Sequence, residues 1–222
     1  MGIAERRERE KEQRRKEIID AAEKVFFREG FGRASMEQVA AESELSKGTL
    51  YLYFKSKEEL YFAIFLRGQE LLYSIVDKEL LRRKETSEKI KAFLKSLLVF
   101  HKKYPEYFQA FFYFTTNPVE INKDSPEFIK SHEIDMGYLN KWIELINQGK
   151  EENIVRSDLE AVPSALLIWL QSIGMLKMHS VLSADLETMF GLKADQLLDE
   201  YFDLVFNGVF ARKRPGRDNV LK

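Results

Sequence analysis

The sequence predicts an all-α protein, and three observations carry that prediction. Apolar residues recur at three- and four-residue spacing almost from end to end. Alternating, strand-like runs are nearly absent. Serine caps, glycine stops and short turn clusters divide the periodic stretches into helical lengths. The 222 residues, 45% hydrophobic and 32% charged, are enough for one large or two small globular domains with a real apolar core.

Taken in order, the first 16 residues hold seven Arg/Lys against four Glu. They read as a solvated, partly frayed extension of the first helix, with Glu5–Arg9, Glu10–Arg14 and Glu12–Lys16 in the favourable i,i+4 order. A basic arm lying on nucleic acid is the other reading. Ile18, Ala22, Val25 and Phe26 then mark one apolar stripe, stopped by Gly30-Phe31-Gly32. "SMEQ" (35–38) is a capping box that opens a helix of about eight residues, facing Met36, Val39 and Ala40 inward. Ser46 caps a third helix over 47–54, with Leu45 stapled onto Leu50. "SKEE" (56–59) is a second capping box and launches a long helix from Lys57 to about Arg83. Three short helices with a tight turn between the last two is helix-turn-helix spacing.

The segments beyond Arg83 are longer. Helices are expected over about 86–103, from Pro105 to about 116, from the Ser125 cap to about 148, from an Asp158 cap to about 182, and over about 194–211. That makes about nine helices, followed by a basic tail. A domain boundary is expected between residues 56 and 57, with the first 12 residues a charged arm ahead of the three short helices.

Composition excludes several functions. There is no cysteine, hence no disulfide, thiolate metal site or cysteine nucleophile. His101, His132 and His179 are far apart in sequence, and neither a Gly-rich phosphate loop nor a nucleophile elbow appears. No enzyme activity, metal or cofactor is expected. The longest apolar run, "ALLIWLQSIGML" (165–176), is too short to span a bilayer, and no signal-like stretch opens the chain, so a cytoplasmic protein is expected. The net charge is −1, and residues 1–60 balance 13 Lys/Arg against 13 Asp/Glu, so bulk charge gives no case for nucleic acid.

The case for nucleic acid lies in "LSKGTLYLYF" (45–54). A helix this short is marginal in water, and Gly48 weakens it by up to about 1 kcal/mol relative to alanine. On a helical wheel Leu50 and Phe54 share one side, while Gly48, Thr49, Tyr51 and Leu52 spread over the other. A major groove about 12 Å wide admits such a helix, and a glycine near its start lets the backbone come close. Lys47 can donate to guanine or phosphate. Thr49, Tyr51 and Tyr53 offer hydroxyls to phosphates. Lys57 and the cap Ser35 stand at helix starts, where phosphate is favoured. Packing alone is the competing account of the same residues.

The stretch from Ile18 to Ile64 resembles the DNA-binding domain of the tetracycline-repressor (TetR) family of bacterial regulators. The resemblance rests on the apolar first helix, the Gly-Phe turn, the Ser-capped "MEQVA" and "SKGTLYLYFKSKEEL". It implies an all-helical homodimer that a small molecule releases from a palindromic operator on double-stranded DNA. It places Lys47, Gly48, Thr49 and Tyr51 toward the groove and Ser35, Tyr53 and Lys57 toward phosphates, with Ser46 as the cap between them. Leu52 departs from the polar residue often found there, and is left to touch a thymine methyl or nothing.

"YPEYFQAFFYF" (104–114) packs seven aromatics into eleven residues, so that helix is buried on more than one side or lines a cavity. Phe108, Phe111, Phe112, Trp142, Trp169, Met175 and Met178 are the candidate walls of a pocket for a small hydrophobic or aromatic effector. Core packing is the plain alternative for each. The resemblance further implies that the last two helices pair with their copies in a dimer, through Leu166, Leu170, Ile173, Tyr201, Phe202, Val205 and Val209. The function expected is a ligand-responsive regulator, a repressor. Two other classes stay open: a hydrophobic-ligand carrier whose helix-turn-helix no longer binds DNA, and an adaptor acting through protein contacts.

Overall fold

The computed structural model describes residues 2–117 and 119–211; the basic tail expected over 212–222 lies outside them. Among the described residues nine α-helices follow one another: α1 (Ile3–Glu29), α2 (Met36–Glu42), α3 (Lys47–Tyr53), α4 (Lys57–Leu81), α5 (Thr86–Lys103), α6 (Pro105–Thr116), α7 (Pro126–Glu151), α8 (Ala161–Phe190) and α9 (Ala194–Val209). One isolated antiparallel bridge, Val155 to Phe210, is the β pairing present among them. The chain divides into two compact units, Met1–Leu71 with Tyr104–Ile134, and Leu72–Lys103 with Asp135–Lys222.

In the first unit the predicted stripe of α1 is buried, with Ile18, Ala22 and Val25 at 0% exposure. It meets Val39 of α2, Leu50 of α3 and Phe54, the residue that ends α3, in one apolar cluster. The capping box is formed: Gln38 N donates to Ser35 Oγ (3.2 Å) and Ser35 N to Gln38 Oε1 (2.8 Å). The second box is only half formed. Glu59 N donates to Ser56 Oγ (3.1 Å), but the Glu59 carboxylate takes the amide of Lys55 (2.7 Å) instead of that of Ser56.

The aromatic α6 also belongs here. Phe108 and Phe111 are buried, and Phe111 sits 4.8 Å from the Phe65 ring of α4. Tyr113 packs, with its ring tilted, on Phe31 beyond the end of α1 at 4.4 Å. Tyr107 donates to Glu23 of α1 (2.8 Å), which also holds Arg67 of α4 (2.9 Å). Seven aromatics are needed because α6 is covered by α1 on one side and α4 on another.

In the second unit Trp142 of α7 lies in a cluster with Ile90 and Leu94 of α5 and Val205 and Val209 of α9. Its Nε1 donates to Ala161 O (3.1 Å), which locks the indole against the start of α8. α8 packs on both α9 and α5.

Three expectations change. The arm is helical from Ile3, and its ion pairs include Arg6–Glu10 (2.8 Å) and Arg14–Glu17 (3.0 Å), so that Arg14 turns to Glu17 where Glu10 was expected. Asp158 does not cap α8; it pairs with Arg156 (2.7 Å), and Glu160 takes the cap position. α8 runs past 182 to Phe190, because Gly191, at φ +65°, is the residue that stops it. Within it, Ala161–Leu182 has a mean hydropathy of 1.3 over 22 residues and is long and apolar enough to cross a membrane. The run 165–176, too short by itself, is the middle of this longer apolar stretch.

Candidate nucleic-acid interface

α3 exists because Ser46 caps it and Leu50 anchors it. Thr49 N donates to Ser46 Oγ (3.1 Å), the two hydroxyls lie 2.8 Å apart, and Leu50 and Phe54 are fully buried. With that side committed, the helix presents Lys47, Gly48 and Leu52 to solvent and leaves Thr49, Tyr51 and Tyr53 half-exposed. Leu52 is 74% exposed, a large apolar side chain that no neighbour of its own chain covers.

Gly48 is not required from within. A methyl group added there would meet only Ser46 Oγ, at 3.9 Å, which is ordinary contact. Its φ is not positive either, so alanine would fit the backbone. The fold therefore tolerates a residue with higher helix propensity, and the chain carries glycine instead.

The charged candidates part company. Lys47 reaches back to the Glu37 carboxylate of α2, which raises the lysine's pKa and lowers the glutamate's through their hydrogen bond. Both remain exposed, so the pair is screened and weak. Lys57 was expected to face a phosphate. Its ammonium instead donates inward to Phe31 O (2.8 Å) and Ala34 O (3.1 Å) and lies 4.3 Å over the Phe31 ring. It braces the turn after α1 by bonding two of that turn's own carbonyls. Ser35 is the α2 cap, its hydroxyl engaged by Gln38 N.

Arg15, singled out by no sequence signal, holds the far end of α3. Its guanidinium lies 3.9 Å over the Phe54 ring, donates to Tyr53 O (2.6 Å) and pairs with Glu127 in the first turn of α7 (2.6 Å). A cavity of about 220 Å³ beside it is lined by Tyr53, Lys55, Phe62, Ile121 and Glu127.

The other predicted sets are placed as follows. Phe108, Phe111 and Phe112 belong to the first unit, and Trp142, Trp169, Met175 and Met178 to the second. Phe108, Phe111 and Trp142 are core residues of their units, whereas Met178 is exposed. Of the interface set, Ile173, Phe202, Val205 and Val209 are buried within the chain, Val205 and Val209 in the cluster around Trp142. Tyr201 is tied to Ser172 (2.8 Å). Leu166 and Leu170 are exposed, alongside Val162, Leu167 and Val181 on α8 and Leu204 on α9, which the prediction left out.

Residues 18–64 match the family described as bacterial regulatory proteins, tetR family. An uncharacterized HTH-type transcriptional regulator of Bacillus subtilis, YfiR, is 45% identical over 58 residues, which is 26% of this chain and 28% of that protein. The fatty acid metabolism regulator protein of Bacillus subtilis is 26% identical over 145 residues, 65% of this chain and 72% of that one. The fold is similar to that of the transcriptional regulator FadR from Bacillus subtilis in complex with stearoyl-CoA. That likeness has a TM-score of 0.60 at 18% identity and covers 86% of this chain and 97% of the other.

Proposed function

The chain belongs, through residues 18–64, to the tetR family of bacterial regulatory proteins, and on that footing we propose that it is a dimeric, ligand-released repressor of operator DNA. The observation that carries the DNA reading is Gly48, a glycine that neither the backbone conformation nor the packing of α3 asks for. A partner that approaches the start of the helix within a side chain's length supplies the missing requirement. Lys47, Thr49, Tyr51 and Leu52 surround it. They offer a donor to guanine or phosphate, hydroxyls to phosphates and an apolar contact to thymine methyls. Ser35 and Ser46 serve from behind by capping, Lys57 by bracing the turn after α1, and Tyr53 offers its hydroxyl to a phosphate.

The dimer rests on the exposed leucines of α8 and Leu204 of α9. A twofold arrangement of two reading helices fits an inverted repeat. For the effector we take the class that the similar proteins suggest, a molecule with a long apolar acyl chain. The match to the fatty acid metabolism regulator extends well past residue 64 in length, which supports this choice. Release is a population shift: the effector lowers DNA affinity by as much as it prefers the form that does not bind DNA.

Selection of binding sites from a random duplex pool with the purified protein tests the reading. An enriched inverted repeat, lost on adding stearoyl-CoA or a shorter acyl-CoA to the complex, is the expected result. No enrichment at low salt would overturn the DNA reading. Enrichment that acyl-CoA leaves unchanged would overturn the effector class alone.

A further inference from the structure

The first turns of α1 stand outside the core. Residues 4–14 are all exposed, and at 1.5 Å per residue they carry the helix about 16 Å beyond its buried part. A helical segment this short and this polar is marginal in water, and exposed ion pairs such as Arg6–Glu10 add only a few tenths of a kcal/mol each. Its charges are nonetheless sorted. Arg6, Arg7, Arg9, Lys11 and Arg14 line an open concavity of about 870 Å³, whose far wall is Tyr53 at the end of α3. Two acids, Glu10 and Glu17, share that lining, so five positive charges stand against two negative. The arm's other acids, Glu5, Glu8 and Glu12, follow three- and four-residue spacing along a different face. The even charge balance of residues 1–60 thus conceals a helix with a basic side and an acidic side.

We propose that this basic face is a second DNA-contacting surface, which lays the α1 arm along the phosphate backbone of the operator next to the reading helix. The inference rests on the DNA reading above and extends it by one element. Charge complementarity selects the partner, since the concavity offers guanidinium groups in excess and phosphates take them in fork geometry. Continuity selects the place, since Tyr53 belongs to both the concavity and α3. Contacts of this kind position the protein and carry no base information.

The test compares wild-type protein with the triple variant Arg6→Gln, Arg7→Gln, Arg14→Gln on a duplex bearing the selected repeat, over a series of salt concentrations. Glutamine keeps the helix propensity of arginine and touches no core residue. The expected result is a slope of log K against log salt that is shallower by about 2–3, from a loss of about 0.9 per phosphate contact, with affinity down roughly tenfold or more. The order of preference among sequence variants of the repeat should stay the same. Ethylation interference gives a second readout: phosphates that block wild-type binding when ethylated should cease to matter for the variant. Equal slopes, or the same set of interfering phosphates, overturn the proposal while wild-type binding upholds the DNA reading. Failure of the wild-type protein to hold the duplex at low salt overturns both.

Discussion

Gly48 separates two demands that fall on the same residue. Alanine there should stabilise α3 by up to about 1 kcal/mol, because the added methyl meets nothing closer than 3.9 Å. Gly48→Ala is therefore expected to raise the melting temperature by roughly 2–4 °C while weakening duplex binding by tenfold or more, about 1.4 kcal/mol. Calorimetry beside a binding titration reads both; a gain in stability with undiminished affinity would return this glycine to the ranks of ordinary packing. The neighbouring lysines mark how far single residues could be read from sequence. Lys47 at the helix tip was legible as exposed, but its partner Glu37 lies ten residues back on another helix, at no spacing that periodicity registers. Lys57 looked like a phosphate anchor because it starts a helix. The carbonyls that claim it, Phe31 and Ala34, come near only when the turn after α1 is folded. Arg15 stayed hidden inside a run of similar charges, although it reaches the end of α3 and α7 together.

Helix existence was written plainly in the order of the apolar positions, and helix ends less so. Caps that depend on residues three apart, Ser35–Gln38 and Ser125–Phe128, formed as read. The Asp158 cap failed because Arg156, two residues away, competes for the carboxylate and holds its pKa near 2. α8 outran its expected end because the polar residues after 182 do not break a helix, and a left-handed glycine at 191 does. The junction between α7 and the chain that returns beside α9 is tightest at Gly149. A Cβ there would fall 2.5 Å from Val155 Cγ2 and 3.3 Å from Ile90 Cδ1. Val155 is itself pinned, through its bridge to Phe210 and the bond from Ala211 N to Ile154 O (2.7 Å). Gly149→Ala should therefore cost about 1–3 kcal/mol by overpacking and lower the melting temperature by roughly 2–4 °C for each of them. A thermal scan in which this variant matches wild type would mean that the junction yields.

At the scale of the whole molecule the dominant feature is the uncovered side of α8. One side of this helix, with Ile173 and Leu176, is buried in its own unit, while Leu166, Leu167, Leu170 and Val181 remain in solvent. Only 17% of its most apolar window is buried, so either a second copy or a bilayer could take the remainder. The pairing of two copies is the proposal made here, and Leu166→Glu with Leu170→Glu tests it. Sedimentation should change from a dimer to a monomer that stays in solution; a wild-type protein that sediments with membranes, or a variant that remains dimeric, would refute it. Pairing through α8, as proposed, would have a further consequence, which concerns amount and not shape. Stability would become a function of how much protein there is, since mass action adds to folding whatever the partner's affinity supplies. The melting temperature should climb with protein concentration, and a cell holding only a few copies would lose its operator occupancy and its folded chains at the same dilution.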